Sequence, residues 1–74
     1  MTQRETVNCI KHMADIVESN PAAYGPLSTG ERIAVAFVLD RPDLLKKDGW
    51  TILKALDRLG PEWTAAAYVA HVER

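Results

Sequence analysis

Ser28-Thr29-Gly30-Glu31-Arg32-Ile33-Ala34-Val35-Ala36-Phe37-Val38-Leu39-Asp40 is the stretch on which the fold of this 74-residue chain turns. Ile33 to Leu39 is an unbroken apolar run, and such a run fits a buried strand as well as a buried helix. The residues ahead of it decide. Ser28 and Glu31 stand at capping-box spacing, where the serine hydroxyl takes a first-turn amide proton and the glutamate reaches back to the serine amide. A helix over about 29–40 is therefore expected. A helix that is apolar on every side is normally enclosed by other elements, which places it at the centre of the domain with Phe37 as its largest core residue.

Working outward, Thr2 and Glu5 repeat the capping-box spacing, and Val7, Ile10, Met13, Ala14 and Val17 follow at helical intervals. Asn20-Pro21 closes this helix, because the residue before a proline disfavours the α region, giving a span of about 3–19. Pro21, Gly25 and Pro26 make Asn20 to Leu27 a loop, with Tyr24 and Leu27 as anchors onto the core. Downstream, Asp40-Arg41-Pro42-Asp43 reads as a helix start with Asp40 as cap and Pro42 in the first turn. Leu44 and Leu45 form the buried side of that short helix. Lys46, Lys47, Asp48 and Gly49 end it, and Trp50 turns inward.

Thr51 is the expected cap of a fourth helix, with Ile52, Leu53, Leu56 and Leu59 as its buried face and Lys54, Asp57 and Arg58 opposite. Gly60 stops it, and Pro61 with Glu62 opens a fifth that runs to the C-terminus. No strand signal remains. The expectation is an all-α single domain over 1–74, a compact four- or five-helix arrangement around a central apolar helix.

With 47% hydrophobic and 26% charged residues the chain has the balance of a globular domain, not of a disordered one. Its length lies near the lower limit of independent folding, and the lone Cys9 cannot form an intramolecular disulfide. Apolar packing must hold it. The start, Met1-Thr2-Gln3-Arg4-Glu5, lacks the features of a secretory signal, and no apolar run approaches membrane-span length, which predicts a cytoplasmic protein.

The net charge of -1 does not supply the basic excess of non-specific nucleic-acid binding. Arg41, Lys46, Lys47, Lys54 and Arg58 nevertheless outnumber Asp43, Asp48 and Asp57 within one segment, so any electropositive surface should centre there.

Three features of the sequence bear on chemistry. Cys9 and His12, three apart on one helix, offer half a zinc site, yet His71 is the only other imidazole, so no metal or cofactor is expected and Cys9 reads as a partly buried small hydrophobe. No phosphate loop, serine elbow or paired-carboxylate signature occurs, and so small a helical domain offers little room for a ligand cavity. No enzyme is expected. Residues 51–72 have the order helix, glycine turn, helix, as in a helix-turn-helix DNA binder, but Glu62, Trp63, Thr64, Ala65 and Tyr68 include nothing suited to reading a base edge. Trp50 and Trp63 are assigned to the core.

The segments Gly30-Glu31-Arg32, Val38-Leu39-Asp40-Arg41-Pro42-Asp43 and Arg58-Leu59-Gly60-Pro61-Glu62-Trp63 resemble those of a group of small uncharacterised proteins of bacteria and their phages. The resemblance spans about half the chain. It implies a bacterial or prophage origin and carries over no functional residue.

The leading expectation is a non-enzymatic protein-binding module, acting on a partner protein or on itself. Trp63, Ala66, Ala67 and Ala70 share one side of the last helix and should face the core. Ala65, Tyr68, Val69 and Val72 form a second apolar stripe, the expected partner site. The alternative, DNA binding, would use Arg41, Lys46, Lys47, Lys54 and Arg58.

Overall fold

Both capping boxes form. In the computed structural model, which describes residues 1–74, the Glu5 amide donates to Thr2 Oγ1 at 3.2 Å and the Thr2 amide to Glu5 Oε1 at 3.1 Å. The Glu31 amide likewise donates to Ser28 Oγ at 3.3 Å, and the Ser28 amide to Glu31 Oε1 at 2.8 Å. These reciprocal bonds open α1 (Gln3–Ser19) and α2 (Thr29–Val38), with a 3₁₀ turn at Pro21–Tyr24 between them. The remaining helices are α3 (Pro42–Lys47), α4 (Ile52–Leu59) and α5 (Pro61–Glu73). No helix is long and apolar enough to cross a membrane.

The end of α2 departs from expectation. Asp40 does not cap α3; it adopts a left-handed conformation with φ 54°. Its amide donates to the Phe37 carbonyl at 3.1 Å and the Arg41 amide to the Ala36 carbonyl at 2.8 Å, which is the paired bonding of a Schellman motif. Asp40 is thus spent on ending α2, and Arg41 becomes the N-cap of α3 without a side-chain bond. The same motif closes α3: the Gly49 amide bonds the Lys46 carbonyl at 3.0 Å and the Trp50 amide the Leu45 carbonyl at 2.9 Å.

A single residue, Gly60, joins α4 to α5. Its amide bonds the Leu56 carbonyl at 3.0 Å, while its own carbonyl accepts the Thr64 amide at 2.9 Å. It holds φ 84° and ψ 164°, a region essentially reserved for glycine. A Cβ there would meet no atom within 4 Å, so the cost of adding one is backbone strain alone. Gly60→Ala should lower stability by about 1–3 kcal/mol, to be read from urea unfolding, and should leave helix content unchanged at low denaturant.

α2 is central: it packs against all four other helices, and Ile33, Ala34, Val35, Ala36 and Val38 are buried. The core adds Val7, Ile10, Met13, Ala14 and Val17 from α1, Leu45 from α3, Ala55 and Leu59 from α4, and Ala66, Ala67 and Ala70 from α5. Trp50, Trp63, Tyr24 and Leu27 are half-buried against it.

Several expected core positions differ, Leu44 and Leu56 among them, which are half-buried. Phe37 is only half-buried, because α2 directs Ile33, Val35 and Val38 into the centre and leaves Phe37 at the α4–α5 seam. Leu53 is 78% exposed, since the inward arc of α4 is centred on Ala55 and Leu59 and Leu53 falls outside it. Ile52 points nearer that arc but sits in the first turn, past the edge of the core, and is half exposed. Cys9 is exposed, not partly buried, as is His12; on α1 Cys9 lies beside the stripe that faces the core and His12 on the solvent side of the helix.

Ion pairs strap the end of α5 to α1. Arg4 donates through both terminal nitrogens to Glu73, at 2.8 and 2.7 Å, and Lys11 adds a bond at 3.2 Å. Arg74 donates to Glu18 at 2.7 Å and to Asp15 at 3.3 Å. The Arg4 hydrogen bonds first, then that of Lys11, hold the Glu73 carboxyl at about 2, against an ordinary value of 4.5. A depressed folded-state value contributes stability that is complete above pH 4.5 and is lost as pH falls through about 2. The pair is solvent-exposed, so salt screens it and the effect is small. The expected outcome is that Glu73→Gln melts with a shallower dependence on pH than the parent between pH 5 and 2, with the two curves converging at the acid end and the difference shrinking in high salt.

Candidate functional site

The largest apolar side chains left in water belong mainly to α4 and α5. Ile52 is 51% exposed, Leu53 78%, Tyr68 70% and Val72 63%. Between the two helices lies a groove of about 210 Å³, lined by Phe37 from α2, Leu56 and Leu59 from α4, and Thr64, Ala67, Tyr68 and His71 from α5. Thr64 and His71 are its only polar members. His71 is fixed by a 2.8 Å contact from Nδ1 to the Val38 carbonyl. A carbonyl only accepts, so Nδ1 carries the proton, and His71 satisfies one of the free carbonyls at the end of α2.

Phe37 joins the groove to a smaller hollow that it lines with Leu45, Pro42 and Ile52. The apolar surface therefore runs from Ile52 across Phe37 and Leu56 to Tyr68. Arg58 and Glu62 lie away from it, beside Ser28 and Gly30 and beside Met1 and Gln3 respectively, and neither they nor Lys54 and Asp57 take part in an ion pair within the chain.

Of the stripe expected on the last helix, Ala65, Tyr68 and Val72 are exposed. Val69 is half-buried and packs against the core, because one step along a helix turns its side chain away from the Tyr68 side. Sequence reasoning did not place Ile52, Leu53, Phe37 or His71 on this surface. One signal was available: Ile52, Leu53, Leu56 and Leu59 are more large apolar residues than one inward arc of an eight-residue helix can bury.

The basic residues are not gathered into one surface. Arg41 is engaged by Asp43 through bonds of 2.9 and 2.8 Å. Arg41 and Lys47 line a cleft beside α3, whereas Arg58 lies beside Ser28, Gly30 and Trp63 at the start of α2. Lys46 and Lys54 border neither hollow. The single residue between α4 and α5 is also shorter than the three- or four-residue turn of a helix-turn-helix.

The cleft beside α3 corrects the expectation that so small a domain has little room for a cavity: it holds about 580 Å³. The 3₁₀ turn forms one side of it through Pro21, Ala22 and Tyr24, and Val17, Tyr24, Leu39 and Leu44 form apolar walls with Arg32, Arg41 and Lys47 among them. The Tyr24 hydroxyl donates to Asp48 Oδ2 at 3.4 Å. Burial, then the nearby Asp48 charge, pushes this phenol up to about 12, so it stays a donor across the neutral range.

Comparison with protein families, curated proteins and solved structures finds no match for this chain.

Proposed function

We propose that the chain is a non-enzymatic protein-interaction module whose working surface is the apolar face of α4 and α5, and that its occupant is the same face of a second copy. The observation that carries this reading is the meeting of knob and hole on one surface. Leu53, Tyr68 and Val72 protrude beside the groove of Phe37, Leu56, Leu59 and Ala67, which is the self-complementarity that a two-fold contact requires.

Magnitudes set the strength of such a dimer. Burying what remains exposed of Ile52, Leu53, Tyr68 and Val72 is worth about 1–2 kcal/mol apiece. Association costs roughly 4–15 kcal/mol in lost freedom, about the size of the total over both copies, so the surplus is small and the dimer is weak and reversible. The anchor is Tyr68, since aromatic residues dominate interface energetics.

Sedimentation equilibrium is the test. The parent should show a monomer–dimer equilibrium, and Tyr68→Ala combined with Val72→Glu should weaken it by about 30-fold or more, the equivalent of about 2 kcal/mol. Both residues are exposed, so helix content and melting temperature should be preserved. A parent that is monomeric throughout the millimolar range, or a double variant that dimerises unchanged, would refute the proposal.

A further inference from the structure

Arg32 Nε is the only side-chain polar atom in the chain that is buried without a hydrogen-bond partner. Native proteins rarely leave such a donor unpaired, and a charged one least of all. Its nearest anion, Asp48 Oδ2, stands at 3.8 Å, too far for a hydrogen bond, and that oxygen already accepts from the Tyr24 hydroxyl. Arg32 lines the 580 Å³ cleft beside α3, whose size lies within the range of small-molecule sites.

The charges around the cleft leave a net positive remainder. Glu18 is held from outside by Arg74 at 2.7 Å, and Arg41 is neutralised by Asp43 at 2.8 Å. Asp48 faces Arg32 loosely, and Lys47 takes part in no ion pair. One uncompensated cation therefore remains beside the Arg32 guanidinium, whose Nε is enclosed but whose side chain is 30% exposed, with Val17, Leu39 and Leu44 as apolar wall. A guanidinium fork with a point-charge lysine suits an oxyanion, and the wall suits an apolar body attached to it.

We infer that this cleft is a binding site for a small organic oxyanion, a carboxylate or phosphate monoester with an apolar body, its head on Arg32 and Lys47 and its body against Leu39 and Leu44. The inference is independent of the self-association surface, since the cleft and the α4–α5 groove share no lining residue.

Titrations followed by two-dimensional NMR, covering backbone amides and the arginine Nε–H groups, test it with sodium hexanoate and phenyl phosphate as probes and 1-hexanol and inorganic phosphate as comparisons. At least one probe should shift Arg32 Nε–H, Leu39 and Leu44 saturably in the millimolar range, and which of the two binds more tightly identifies the head group. Arg32→Gln and Lys47→Gln should each weaken binding by about ten-fold or more, the usual scale of a charge-assisted bond. Lys47 is exposed, so its replacement tests the site even where Arg32→Gln perturbs folding. Tyr68→Ala with Val72→Glu should leave the titration unchanged. The inference is overturned if neither probe gives saturable shifts, if 1-hexanol binds as well as hexanoate, if inorganic phosphate binds as well as phenyl phosphate, or if Lys47→Gln binds like the parent.

Discussion

Ile33→Ala should bring the domain close to unfolding. Ile33 is 1% exposed at the centre of α2, and truncating a buried isoleucine to alanine costs about 2–5 kcal/mol, the lost transfer energy plus the cavity left behind. Native stability runs at about 0.05–0.15 kcal/mol per residue, so for a chain of this length the loss is a large part of the total. At roughly 4–8 °C per kcal/mol in a domain of this size, the melting temperature should fall by tens of degrees. The informative comparison is Phe37→Ala. Phe37 carries more carbon, yet it lies half-buried at the rim of the groove, so its truncation should be the milder of the two. An Ile33→Ala protein more stable than Phe37→Ala would mean that α2 is turned differently about its axis.

Ala70→Leu should also destabilise strongly, for the opposite reason. Ala70 is fully buried where α5 lies against α1 and α2, and the methyl groups of Ala66 and Ala70 set how closely these helices approach. Extra methylenes in a closed contact force neighbouring side chains off their rotamers or move the backbone, at about 1–3 kcal/mol. Ala65→Leu adds the same volume on the exposed side of the same helix and should shift stability by no more than about 0.5 kcal/mol. Chemical denaturation of the pair distinguishes the two faces. Equal effects would show that α5 does not present Ala70 to the core.

How far the sequence carried depends on whether a feature is local. Capping boxes at Thr2 and Ser28, the cap at Thr51 and the proline at the start of α5 are fixed by residues within four positions of one another, so the helices were legible nearly to their ends. Asp40 illustrates the limit: as a helix N-cap and as a left-handed terminator it satisfies equally local rules, and the two amide bonds back to Phe37 and Ala36 decide between them. Burial was legible only where a helix has one inward side, as with Ala66 and Ala70. Where apolar residues exceed that side, as in α2 and α4, tertiary neighbours choose which point inward, and Phe37 and Leu53 were misplaced for that reason. The cleft was not legible at all, because Val17, Arg32 and Lys47 come from three separate elements that meet only in the fold.

The most direct test of the self-association surface is a dilution series of amide correlation spectra, from the millimolar range downward. Shifts should follow a single monomer–dimer isotherm and concentrate on Ile52, Leu53, Leu56, Tyr68 and Val72, while the exposed side of α1 around Asn8, Cys9 and His12 stays constant. Spectra independent of concentration, or shifts centred on α1, would contradict the account.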